Sequence, residues 1–239
     1  MNVYDLIAEH YSELFPLESE KLDFIQQICP LPGRLCDAGC ATGDLAEGLQ
    51  RRGYTVYGLD LNAKMIGIAE RKAAELRTSG KLTFYHADIA DILQFGSCNG
   101  VLCFGNTLPH LPDEAALRRF FSAVYQSVQA HGIVIVEVLN YDRILAEKKM
   151  DFKDKETDAF IFTRRYDFLP DGNIRFTITF TDKRRNTVTS DFTVLHPLRR
   201  QTLLALFEQA GFQSVATYSD YNFTPSRPDD YAVVYTAKR

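Results

Sequence analysis

Short apolar runs alternate along the first 140 residues with segments whose apolar positions recur at helical spacing. The strand-like runs are Arg34–Asp37, Tyr54–Leu59, Leu82–His86, Val101–Phe104 and Ile133–Leu139. Between them, Leu45 to Arg52 has a helical pattern. A second helix starts at the N-cap Asn62 and runs to about Ser79, where Gly80 stops it. A third follows Asp113, with Leu117, Phe120, Phe121, Val124 and Val128 on one face. Val3–Phe15 and Ser19–Ile28 have the pattern of two short helices ahead of the first strand. Strands that are almost wholly apolar, each followed by a helix, predict a parallel sheet buried on both faces. In such sheets ligands sit beyond the carboxyl ends of the strands.

The pattern changes after Asn140. Phe160–Phe168, Ile174–Phe180 and Thr187–Leu195 alternate apolar with polar residues, and Pro170-Asp171-Gly172-Asn173 and Asp182–Asn186 are turn sequences. They predict a three-stranded antiparallel excursion. A helix over Leu198–Gln209, stopped by Gly211, and strands over Phe212–Tyr218 and Ala232–Thr236 complete the chain. The expected organisation is one α/β domain over 1–239. It comprises a helical lid at 1–30, a cofactor-binding core at 34–140, the excursion at 151–197, and the rest of the core sheet at 198–239.

Composition narrows the function. Hydrophobic residues make up 46% of the chain and charged residues 24%, with a net charge of −4. A mildly acidic chain offers no global field for a phosphate backbone, so nucleic acid is not the expected partner. No apolar run reaches the length of a membrane span, so no membrane partner is expected either. Met1–Tyr11 lacks the cationic start and apolar run of a signal peptide. The five cysteines are odd in number and lie in apolar surroundings, which suits reduced thiols and a cytoplasmic location. No cysteine or histidine spacing suggests a metal site.

The chemistry concentrates where strands end. Asp37-Ala38-Gly39-Cys40-Ala41-Thr42-Gly43 places a carboxylate at a strand end and small residues where a ligand lies against backbone. The acid accepts from a cationic amino group, directly or through water. A nicotinamide dinucleotide site spaces its glycines differently and puts pyrophosphate where Asp37 would repel it. A nicotinamide-dependent oxidoreductase is therefore the weaker alternative. Asp60 ends the second strand and suits the two hydroxyls of a ribose. Asp88 with Ile89 follows the third and suits an adenine, the acid accepting from the amine and the apolar neighbour packing on the ring.

Together these segments resemble the class I S-adenosylmethionine-dependent methyltransferases. Asp37 to Gly43 resembles that family's glycine motif, with Ala41 where glycine is commoner. Gly58-Leu59-Asp60-Leu61-Asn62-Ala63-Lys64-Met65 is similar to its ribose-binding segment, and His86-Ala87-Asp88-Ile89 to its adenine-binding segment. Phe104-Gly105-Asn106-Thr107-Leu108-Pro109-His110-Leu111, with Asn140-Tyr141-Asp142, resembles small-molecule enzymes of the glycine and sarcosine N-methyltransferase group. The Asn/Asp-Pro-Pro-Tyr signature of amino-methylating DNA enzymes is absent.

The resemblance implies S-adenosyl-L-methionine as cofactor and a Rossmann-like seven-stranded sheet with one reversed strand. It also implies that the antiparallel excursion roofs the site. The implied cofactor residues are Asp37, Ala38, Gly39, Ala41, Gly43, Asp60, Leu61, Met65, Asp88, Ile89, Phe104 and Gly105. Tyr4, Asn106, His110, Asn140 and Arg175 are the candidates for holding a small-molecule acceptor, an amine or amino acid. A non-catalytic cofactor-binding subunit is the second alternative. Methyl transfer asks the protein for alignment and exclusion of water rather than a covalent nucleophile. His110, Tyr4 and Tyr11 are candidate bases, although the tyrosine pair also suits a packing face or an aromatic lid. Arg164, Arg165 and Arg175 lie in the excursion, and one of them would hold a carboxylate.

Overall fold

A computed structural model describes residues 3–30, 32–76 and 80–239. The main sheet contains β1 (Arg34–Ala38), β2 (Thr55–Asp60), β3 (Leu82–His86), β4 (Cys98–Cys103), β5 (Val128–Leu139), β10 (Gln213–Tyr218) and β11 (Ala232–Lys238). Their order is β10-β11-β5-β4-β1-β2-β3, and β11 runs antiparallel to both neighbours while the other pairs are parallel. This is the expected Rossmann-like α/β architecture. Strand order reverses beside β1, so the ends of β1 and β4 open a crevice.

Side chains of opposite parity in one strand feed two cores. Cys36 and Ala38 of β1 and Val134, Val136 and Val138 of β5 face one; Leu35, Ile133 and Ile135 face the other. Burial on both faces explains why these strands are nearly continuous apolar runs. The helices α2 (Ser19–Ile28), α3 (Asp44–Arg51), α4 (Ala63–Leu76), α5 (Glu114–Ser127) and α7 (Arg200–Ala210) cover the sheet. Asp113 caps α5 by accepting from the Ala116 amide at 2.7 Å. The stretch 77–79, where the sequence ends α4, lies outside the described residues. No helix among the described residues is long and apolar enough to cross a membrane.

The excursion forms a second sheet with four strands rather than three: β6 (Lys155–Glu156), β7 (Phe160–Phe168), β8 (Ile174–Asp182) and β9 (Thr187–Leu195). β6 escaped the sequence because its two residues carry no alternation. The N-terminal segment also differs from the expected single helix. It is two 3-10 turns, Val3–Leu6 and Ala8–His10, followed by α1 (Tyr11–Leu14). This segment serves two walls at once. Ile7 and Leu14 are fully buried in the core, while His10 stacks on Phe160 and Phe180 of the roof at 4.8 and 5.2 Å. A single helical face does not satisfy both.

After β5 comes α6 (Tyr141–Glu147), a helix not foreseen, capped by Asn140. This corrects the substrate role expected of Asn140. Its amide nitrogen donates to the carbonyls of Pro228 and Asp230 at 2.8 and 3.0 Å, and its oxygen accepts from the Arg143 amide at 3.3 Å. The side chain is 8% exposed and its hydrogen-bonding capacity serves the fold. Asn140→Ala leaves those partly buried carbonyls without their side-chain donor and removes the cap of α6. It is expected to lower stability by about 2 kcal/mol, read as the urea midpoint, and an unchanged midpoint contradicts this role.

Candidate active site

The turn after β1 is left-handed at three alternating positions: Gly39 (φ +84°), Ala41 (φ +47°) and Gly43 (φ +80°). A Cβ on Gly39 would sit 2.6 Å from the Thr107 side chain, and one on Gly43 would sit 2.5 Å from the Phe84 ring. Gly39 thus lets the turn approach the β4 loop. Gly43 serves packing against β3 and not ligand contact, as was expected of it. Alanine in this conformation is strained by roughly 1–2 kcal/mol. Ala41 packs against the buried cluster of Ala8, Met65 and Ile68, which offsets part of that cost.

Asp60 fastens this turn to β2. One carboxylate oxygen accepts from the Ala41 amide at 2.9 Å and the other from the Asn62 amide at 2.8 Å. Each oxygen keeps a further lone pair for a ligand hydroxyl. Burial raises its pKa against those two amides. Asp88 accepts from the Ala90 amide at 2.8 Å and caps the 3-10 helix Ile89–Phe95.

A cavity of about 440 Å³ lies over these loops. It is lined by Gly39, Ala41, Asp60, Leu61, Met65, Ile89 and Gly105 of the expected cofactor residues, and by Tyr4, Tyr11 and His110. Val3, Asn62, Thr107, Leu111, Phe192 and Thr193 also line it. Asp37, Ala38, Gly43, Asp88, Phe104 and Asn106 are not on its wall. The volume falls within the range of small-molecule sites.

Below the turn, Asp37 is 3% exposed and its Oδ2 has no hydrogen-bond partner. Burial is the chief cause that raises its pKa to about 7; Lys21 opposes this, while Asp60 and Asp44 add to it. Lys21 pairs with Glu137 at 3.6 Å, over the faces of Phe104 and Tyr221 at 4.8 and 5.1 Å. Nothing in the sequence singled out Lys21 or Glu137. The first is one lysine of an amphipathic helix, the second one acid in an apolar strand.

On the opposite side, the Tyr4 hydroxyl and His110 Nε2 are 3.0 Å apart. Burial lowers the His110 pKa to about 4 and raises those of Tyr4 and Tyr11, so at neutral pH all three are uncharged. Asn106 donates to the Tyr141 hydroxyl at 2.9 Å and accepts from the Leu139 amide at 3.1 Å, which binds the β4 loop to β5. Of the three arginines, Arg165 and Arg175 are on the exposed face of the roof. Arg165 pairs with Asp167 and Arg175 stacks on Phe192, so the expected acceptor contact of Arg175 is corrected. Arg164 has the parity of Phe162 and Tyr166 and faces inward.

The residues present fit a cationic nucleoside: a close-packed turn and a ribose-competent carboxylate on one cavity, with an unpartnered buried acid beneath that turn. The methyltransferase domain model matches residues 35–132. A glycine/sarcosine N-methyltransferase from Aphanothece halophytica is 28% identical over 86% of this chain and 76% of its own. The chain is similar to class I S-adenosylmethionine-dependent methyltransferases, and these matches support methyl transfer with that cofactor. In fold, it resembles an S-adenosylmethionine-dependent methyltransferase from Clostridium acetobutylicum (TM-score 0.84, 17% identity, 99% of each chain). It also resembles a SAM-bound amino pentose methyltransferase from Micromonospora echinaspora (TM-score 0.72, 18% identity, 100% of this chain and 97% of that one).

Two predictions follow from the acids. Binding of S-adenosylmethionine is expected to strengthen by about tenfold between pH 6 and pH 8. The Asp37 carboxyl, protonated below its pKa near 7, must ionise to face an ammonium. Titration calorimetry on wild type and Asp37→Asn reads this, and an equally steep rise in the variant rejects it. Asp60→Ala is expected to weaken binding and also to lower stability by about 1–3 kcal/mol, because two backbone amides lose their acceptor. Full retention of the thermal midpoint contradicts the fastening role.

Proposed function

We propose that the protein methylates the amino nitrogen of a small acceptor that also carries a carboxylate. Arg164 carries this reading. Its guanidinium lies over Phe152, Phe162 and Phe15 at 4.6, 5.3 and 5.4 Å. Its Nε is buried without a hydrogen-bond partner, and it forms none of the ion pairs among the described residues. Burial depresses its pKa, and its charge reaches Tyr4 on the cavity wall. A partly desolvated guanidinium that feels Asp154 but forms no ion pair with it is complementary to a carboxylate, which it holds through two parallel bonds. The glycine/sarcosine N-methyltransferase named above acts on acceptors of this kind.

In this reading Asp60 meets the ribose, Ile89 and Met65 pack on the adenine, and Asp37 receives the amino group of the methionyl end, with Lys21 beside it for the carboxylate. When bound, the cofactor's sulfonium supplies an activated methyl group. The chain's own tasks are to orient the amine and to exclude water. The candidate bases become positioning groups. His110, with a pKa near 4, is too weak to hold an ammonium proton, and Tyr4 and Tyr11 remain phenols. The Tyr4–His110 pair fixes a hydroxyl at the cavity wall, and aromatic faces around it favour the cationic product.

The acceptor therefore enters as the free amine, its proton passing to solvent. The rate is expected to rise with pH until the acceptor's own amine is deprotonated, with no inflection from His110, and His110→Gln is expected to keep that profile. An inflection near pH 6 that vanishes in His110→Gln overturns this. For the acceptor, amino acids, amino sugars and simple amines are to be compared by S-adenosylhomocysteine formation. Arg164→Lys is expected to raise KM for the carboxylated amines by on the order of 10–100-fold and to leave uncharged amines unaffected. Turnover of uncharged amines alone rejects the reading.

A further inference from the structure

We infer that Glu137 is a positioning residue for cofactor binding: it holds the Lys21 ammonium away from Asp37, so that the buried carboxylate stays open to the cofactor's amino group. This rests on the reading of Asp37 given above. Lys21 extends from α2 into a space flanked by two acids, one at the end of β1 and one near the end of β5. A flexible lysine beside a desolvated carboxylate with a vacant oxygen is expected to close on it, since that pairing removes an uncompensated charge. In the structure Lys21 pairs with Glu137 at 3.6 Å, and no ion pair with Asp37 forms among the described residues.

Glu137 is equipped to win that competition. Its Oε1 accepts from the Tyr221 hydroxyl at 2.7 Å, and its Oε2 accepts from the Gly105 amide at 3.3 Å. The carboxylate is thus fixed from the loop after β4 and from the loop between β10 and β11. It also holds the Tyr221 ring beneath the ammonium, which lies over that ring and Phe104. Asp37 has no such fixed donors on Oδ2. The charged groups that act on Asp37 are Lys21 from α2, Asp60 from β2 and Asp44 from α3. With Glu137 neutral, two of these still repel a negative charge and only Lys21 is free to move in. The arrangement leaves one cation, held by Glu137, and one acid without a partner on Oδ2, charges that complement the carboxylate and ammonium of an amino-acid moiety.

The test is titration of S-adenosylmethionine into wild type, Glu137→Gln, Tyr221→Phe, the double variant Lys21→Met/Glu137→Gln, and Asp37→Asn, each from pH 5.5 to 8.5. Glu137→Gln is expected to weaken binding roughly tenfold at neutral pH and to move the inflection near pH 7 to lower pH, because the released lysine pairs with Asp37. Tyr221→Phe is expected to shift both in the same direction by less, and it serves where Glu137→Gln does not fold. Removing the lysine as well is expected to move the inflection back up, to pH 7 or above, because Lys21 itself holds the Asp37 pKa down. That rescue distinguishes positioning from a merely structural role. Wild-type affinity and inflection in Glu137→Gln overturn the proposal. Unchanged binding in Asp37→Asn overturns it for a different reason, since the reading of Asp37 itself then fails.

Discussion

A carboxylate buried at the end of β1 with one oxygen unpartnered governs this site. A desolvated, unpaired acid is costly to ionise, and a folded protein tolerates one only where something else accounts for it. In Asp37 the neighbours make matters worse, for Asp60 and Asp44 both oppose ionisation. The most direct relief is a cation delivered from outside. The rest of the architecture bears on which cation: Gly39 and Ala41 line the cavity with little side chain, Asp60 offers lone pairs to vicinal hydroxyls, and Ile89 and Met65 add apolar wall. A cationic nucleoside with an amino-acid tail meets these demands at once, whereas a dinucleotide brings a pyrophosphate to an acid.

The fold was largely written in the periodicity of the chain. Residues of both parities are buried in β1 and β5 because each strand feeds two cores, and that produced the apolar runs from which a parallel sheet was read. The alternation in β7 to β9 marked an excursion with one wet face for the same reason. What stayed hidden lacked a repeating signal. β6 is two residues long, α6 depends on a cap whose partners are 88 and 90 residues away, and the N-terminal segment bends to meet two walls.

The site was legible only in part, and the division has a physical basis. Asp60, Leu61, Met65 and Ile89 follow strand ends directly, so topology alone carries them to the cavity. Side chains that act from afar were misjudged. Arg175 and Arg164 are eleven residues apart on adjacent strands, and only register and parity decide that the first faces solvent and the second the interior. Asn140 was read as a ligand group because it follows a strand, yet its amide is used up by Pro228 and Asp230. Lys21 and Glu137 belong to segments whose pattern reports only packing.

The N-terminal segment meets the strand-end loops and the antiparallel sheet through separate chemistry. Ser12 donates to Asp44 at 2.8 Å while Lys72 binds both, and Asn62 donates to Asp5 at 2.8 Å. These polar ties join the N-terminal segment to the glycine turn and to the loop after Asp60. Its ties to the roof are mostly aromatic: His10 on Phe160 and Phe180, Phe15 on Phe162. The segment that carries Tyr4 and Tyr11 therefore rests on the loops that hold the cofactor and on the sheet that holds Arg164. Under the proposed function, a ligand that orders either set of loops also orders the segment that rests on them. Two ligands that share one such wall are coupled without touching, because the free energy of ordering the wall is shared between them.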